Sequence, residues 1–218
     1  LVILVFLLIY FQESESFSSI TPDKIPILII SKPEKYKKSY ERLKVLGFKI
    51  IKRVPPVFLK ESKTCALEKI GLSELGCIEA HKSCFREVLN INSPCIILEE
   101  DWDYSLASGI FLKKIMNYYS YYISNNLDIL WLGHCGNACT HAYIIGPKTC
   151  NYLLGEDYCS SPLDIKLYKL CRERKIKCFK VKNDNTNKNF FGGGIILQDR
   201  KNNIGMHDHY NTRTKMWF

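Results

Sequence analysis

Four carboxylates crowd into five positions of the chain: Glu99, Glu100, Asp101 and Asp103, directly after the apolar run Cys95-Ile96-Ile97-Leu98. Like charges that close repel unless a cation holds them, so the run reads as a divalent-metal site. The apolar run has the length and flanks of a buried strand, which puts the acids at its C-terminal end. In an α/β sheet that end is where ligands bind. The bland alternative, a solvated acidic loop, is weakened by the position directly after a buried strand.

Other residues able to do chemistry lie on both sides of the acids. Glu74, Cys77 and His81 fall in a segment with Leu75, Ile78, Phe85 and Val88 at helical spacing, with Ser73 placed as its N-cap. Taken alone, Glu74 is a first-turn acid and His81 a polar helix residue. No base is identifiable beside Cys77, so a structural thiol is expected rather than a nucleophile. Asp164 follows Ser161-Pro162, where an acid stabilises the helix dipole and is equally available as a general base. His134, Cys135, Cys139 and His141 are a weaker zinc alternative, because a disulfide-stapled turn explains the cysteines more simply.

Secondary-structure signals around these residues alternate between strand and helix. Strands are expected at residues 25–30, 48–51, 95–98, 128–132, 141–145 and 178–181. Helices are expected at 33–46, 74–89, 111–122, 148–154 and, after a Ser161 cap, 162–174, the first closed by Gly47 in a left-handed cap. The β-α-β opening predicts a parallel sheet. The expected fold is therefore a single α/β domain over residues 25–218, with a mostly parallel central sheet flanked by helices and a polar C-terminal tail. The tail carries Gly192-Gly193-Gly194 and His207-Asp208-His209, with His207 a candidate for a further metal ligand.

With 218 residues, 46% of them hydrophobic, the chain suits one domain with a real core. Its net charge of +9 is spread along the sequence rather than gathered into one stripe. That pattern argues against nucleic-acid binding and for solubility or anionic phosphates as its role. Residues 1–11 are an uncharged apolar run, read as a signal peptide or a truncated signal anchor; residues 12–24 follow as a polar linker. Ten cysteines agree with a secretory destination, luminal or membrane-tethered, although connectivity cannot be read from spacing.

Taken together, Glu74-Leu75-Gly76-Cys77, Ala80-His81 and Leu98-Glu99-Glu100-Asp101 resemble glycosyltransferase family 25, with its G-E-I-G-C-x-x-S-H and L-E-D-D blocks. Asp128-Ile129-Leu130-Trp131-Leu132-Gly133, Thr140-His141-Ala142-Tyr143 and Pro162-Leu163-Asp164 are similar to the family's W-D-I-x-x-L-G, G-T-x-A-Y and P-x-D blocks, in the same order. The chain departs from the family at Ala80 and Glu100, and has Ser31-Lys32-Pro33 where an N-L-x-x-R-x-D-R stretch is usual.

The resemblance implies a GT-A-type domain that transfers a sugar, most often galactose, from a UDP-sugar to an acceptor hydroxyl on a glycan or glycoprotein, with inversion. It implies Asp164 as base, with Glu74 and His81 lining the reaction centre. Glu99, Glu100, Thr140 and Tyr143 would bind the donor, and Mn²⁺, or Mg²⁺ in its place, would be held by the acidic block. Glu99-Glu100-Asp101 and the Asp-x-Asp of Asp101 and Asp103 are alternative registers for that metal. The competing expectation is an inactive member acting as a glycan- or protein-binding module.

Overall fold

The structure is a computed structural model that describes residues 20–61, 70–104, 107–135, 138–181, 193–194 and 196–198. The expected apolar leader, His207 and the side chains of His134, Cys135 and Cys139 lie outside the described residues. No described helix is long and apolar enough to cross a membrane.

In chain order the elements are β1 (Ile27–Ile30), α1 (Pro33–Val45), β2 (Ile51–Val54), α2 (Leu72–Ile91), β3 (Cys95–Glu99), β4 (Trp102–Asp103), α3 (Ser108–Ser124), β5 (Ile129–Cys135) and β6 (Ala138–Ile145). Then come α4 (Pro147–Leu154), α5 (Leu163–Arg172), β7 (Cys178–Lys180), β8 (Gly193–Gly194) and β9 (Leu197–Gln198). The main sheet runs β2-β1-β3-β6-β5-β7, with β8 attached to β5. Five of the six strands in that row point the same way; β6 runs against both of its neighbours. The mixed α/β class expected from the sequence is the class observed.

Alternation along the strands splits the core into two layers. Leu28, Ile97, Tyr143 and Ile145 pack with α2, α4 and α5 on one face. Ile27, Ile29, Ile96, Leu98 and Ile144 pack with α1 and α3 on the other. The chain leaves β1 through α1 to reach β2 on one side, then returns through α2 to place β3 on the other side. Strand order thus reverses at β1, next to the C-terminal ends of β1 and β3, where Ile30 pairs with Glu99. Because β6 is antiparallel, with Ala142 opposite Leu98, its early residues reach that same end.

Two of the boundaries that differ from the sequence reading do so for local reasons. The second strand starts at Ile51 rather than Phe48, because Phe48 is buried and its N–H closes α1 on the Leu43 carbonyl at 3.1 Å. Gly47, at φ +92°, makes that turn. Helix α2 begins at Leu72 with Gly71 rather than Ser73 as N-cap, and Glu74 reaches back to accept the Gly71 N–H at 2.7 Å.

Candidate active site

Helix α2 supplies the first part of the site. Cys77 and His81, four residues apart, share a face of the helix, and the apolar stripe of Leu75, Ile78, Phe85 and Val88 fixes its roll. Gly76 lets this turn come close to the chain after β2, since a Cβ there would run into the Val57 carbonyl.

His81 is buried, and both ring nitrogens are engaged. Nδ1 lies 2.7 Å from the Tyr143 hydroxyl, and Nε2 lies 3.2 Å from Glu99 Oε1. A carboxylate only accepts, so Nε2 carries the proton that faces Glu99, and the Tyr143 O–H donates to Nδ1. Thr140 donates to the same Glu99 oxygen at 2.9 Å. Burial would raise the Glu99 carboxyl, but the hydrogen bond and electrostatic pull of the His81 ring, with smaller help from His141 and Thr140, outweigh it and hold the carboxyl below its ordinary value. Burial lifts the Tyr143 hydroxyl far above its usual range, so it stays protonated and able to donate.

Cys77 keeps contact with solvent, yet protein crowds the rest of it, and the charges of Glu99, Asp164 and Glu74 all bear on it. Desolvation first, then those three carboxylates, push its thiol well above the ordinary value. The group is no activated nucleophile, as the sequence led one to expect. Asp164 is buried in the first turn of α5 and accepts the Ile165 N–H at 2.8 Å. Helix α5 starts one residue later than expected, with Pro162 as its N-cap.

The acid run separates. Glu99 enters the network just described. Glu100 pairs with Lys35 at 2.8 Å and accepts the Lys32 N–H at 3.2 Å. Asp103 pairs with Arg42, whose guanidinium lies 4.8 Å from the Trp102 ring centre and 4.9 Å from that of Tyr104. Asp101 is buried. Like charges are thus relieved largely by basic side chains of α1. Lys35 and Arg42 stand seven residues apart on one face of that helix, a spacing visible in the sequence but not connected there to the acids.

Among the described residues, Glu99, Asp101 and Asp103 do not converge into one metal-ligand group; Cys77, His81 and Glu99 do, with ligand atoms within 4.8 Å of one another. The all-oxygen site implied for Mn²⁺ therefore does not fit these positions as they stand, apart from Glu99.

Two further residues complete the picture. Ser31, at the end of β1, is buried, and its hydroxyl has no hydrogen-bond partner among the described residues. Asp128, in the strand block ending at Gly133, is structural: it accepts from Thr149 at 3.0 Å and from the Lys177 N–H at 2.8 Å, at the far end of the sheet. A hollow of about 210 Å³ beside Pro94, Tyr122 and Gly146 lies at that far end too, away from the network.

No family model and no curated protein matches the chain. Among solved structures, the chain is similar to a "Putative Glucose-1-Phosphate Thymidylyltransferase" from Bacillus anthracis in complex with a sucrose, at 12% identity and a TM-score of 0.43, over 72% of this chain and 85% of that one. At that TM-score the likeness carries no argument about this site.

Proposed function

We propose that the protein is a glycosyltransferase that moves a sugar from a nucleotide-sugar donor, UDP-galactose being the first choice, to a hydroxyl on a glycan or glycoprotein. One observation carries this reading. Residues from blocks scattered over some sixty positions, His81, Glu99, Thr140 and Tyr143, meet at the C-terminal edge of the sheet where strand order reverses, and the Asp164 charge bears on Cys77 beside them. These are the blocks on which the family-25 resemblance rests, and a reversal edge is where α/β sheets bind ligands.

In this reading the donor diphosphate lies over the end of β1, where Lys32 and Arg53 offset its charge and the Ser31 hydroxyl gains a partner. Arg53 already donates to the Ser31 carbonyl at 3.2 Å. Asp164 takes the proton of the acceptor hydroxyl as that oxygen bonds to the anomeric carbon. The sugar–phosphate bond breaks, and the nucleoside diphosphate leaves with the electron pair. A divalent metal, when bound through Glu99, would add positive charge for the leaving group. The proposed setting is the secretory lumen, with the N-terminal run as signal or tether. The Cys171–Cys178 disulfide supports an oxidising compartment.

The test is UDP release from UDP-galactose by the full chain, with and without lactose as a model acceptor and with Mn²⁺ or Mg²⁺ supplied. Transfer is expected from the wild type and a loss of about a hundredfold or more from Glu99→Gln. Equal rates in the two proteins would remove Glu99 from the reaction.

A further inference from the structure

The chemistry of the side chains around Glu99 points to a different metal from the one the acid run suggests. The group of Cys77, His81 and Glu99 offers one sulfur, one nitrogen and one oxygen, all within 4.8 Å of one another. A tetrahedral ion with metal–ligand bonds near 2.0–2.3 Å needs ligand separations of about 3.3–3.6 Å. His81 Nε2 and Glu99 Oε1 are 3.2 Å apart already. A modest rotation of the exposed Cys77 side chain closes the remainder.

The surroundings suit a bound ion. Tyr143 sits 2.7 Å from His81 Nδ1, and Thr140 donates to Glu99 at 2.9 Å, so the buried His81 and the half-buried Glu99 are both held by groups on strand β6. Such outer contacts fix the orientation of metal ligands. With an ion on Nε2, the proton moves to Nδ1 and the Tyr143 oxygen accepts it, so the contact survives the change of tautomer. Thiolate, neutral imidazole and carboxylate together carry two negative charges, which a divalent ion neutralises. Mixed S, N and O donors favour Zn²⁺ and its neighbours Co²⁺ and Fe²⁺ over Mg²⁺, which prefers oxygen alone.

We propose that Cys77, His81 and Glu99 form a three-ligand centre for a borderline divalent cation of the Zn²⁺ class, its fourth position open to solvent on the Cys77 side. Three protein ligands with one open position is the layout of a catalytic rather than a purely structural zinc. A water or an acceptor hydroxyl would take the open position, and the charges of Asp164 and Glu74 bear on the Cys77 ligand. This goes beyond the transferase reading and does not need it, and its test contains no sugar nucleotide, so either can fail without the other.

The full chain, kept reduced with a phosphine and stripped with a chelator, is titrated with Co²⁺ alone. One equivalent is expected to give thiolate-to-cobalt charge-transfer absorption with tetrahedral visible bands, displaced by Zn²⁺ and untouched by Mg²⁺. Cys77→Ser should lose the charge-transfer band, and Tyr143→Phe should keep it with roughly tenfold weaker binding. In the wild type, Zn²⁺ should lower alkylation of Cys77 as mapped by mass spectrometry, a readout that depends on no variant folding. Absence of one-equivalent binding, a band unchanged in Cys77→Ser, or Cys77 labelling indifferent to Zn²⁺ would each overturn the proposal; the second would move the metal to thiols such as Cys135 and Cys139.

Discussion

Asp164 separates binding from chemistry at the scale of single residues. Its carboxylate is buried and accepts the Ile165 N–H within its own helix turn. A base that touches only the acceptor proton adds to the transition state and not to donor affinity. Asp164→Asn is therefore expected to lower kcat by about 10²–10⁴ while leaving UDP affinity within a factor of about three. Calorimetry beside a transfer assay checks this, and parallel loss of both would make Asp164 a structural acid. The rival role, a first-turn acid favoured by the helix dipole, predicts lower stability with kcat unchanged. At this scale the sequence offered candidates but not their partners. Of those candidates, His81, Glu99, Thr140 and Tyr143 share one hydrogen-bonded network. The pairing of Glu100 with Lys35 and Asp103 with Arg42 was not, because it depends on α1 lying beside the acid run, over sixty residues away in sequence.

Elements position those residues, and two contacts make their placement testable. Helix α2 is seated by Gly76 against the Val57 carbonyl. Gly76→Ala inserts a methyl group into backbone, which cannot move aside as a flexible side chain would. A loss of roughly 1–3 kcal/mol in denaturant unfolding is expected, with a weaker site as α2 shifts. A variant as stable as the wild type would mean that the 55–57 turn yields freely. Helix α3 is tied to the start of β3 by the Tyr119 hydroxyl, which donates to the Pro94 carbonyl at 2.6 Å. Tyr119→Phe should cost about 1–2 kcal/mol near neutrality.

Burial raises the Tyr119 hydroxyl from its ordinary 10.0 to about 12. A raised folded pKa gives stability that is complete below pH 10 and lost as pH climbs toward 12, because only the unfolded phenol ionises there. The stability gap between wild type and Tyr119→Phe should therefore narrow through that interval, by at most about 1.4 kcal/mol per pH unit. A constant gap would refute the assignment. Most element types were legible from periodicity and turn residues. What failed was the start of β2: Ile51–Val54 were chosen as strand by register with Ile27–Ile30, a tertiary preference that Phe48-Lys49-Ile50 does not reveal locally.

For the whole molecule, the central fact is convergence: distant blocks meet where strand order reverses, and the sheet's antiparallel strand β6 brings Thr140 and Tyr143 to the same edge. The α/β class followed from alternating strand and helix signals, whereas the reversed direction of β6 did not, since direction is set by a short β5–β6 connection rather than by composition. Four adjacent acids pointed to an oxygen-only site; among the described residues it is the ligand atoms of Cys77, His81 and Glu99 that come together. The measurement that tests the account most directly is calorimetric binding of UDP to the full chain, wild type beside Ser31→Val and Glu99→Gln. The account predicts saturable one-to-one binding by the wild type, weakened at least about tenfold in each variant, which places the nucleotide at the end of β1. A folded wild type that binds no UDP would contradict it, and would leave a binding module built on the same sheet as the better description.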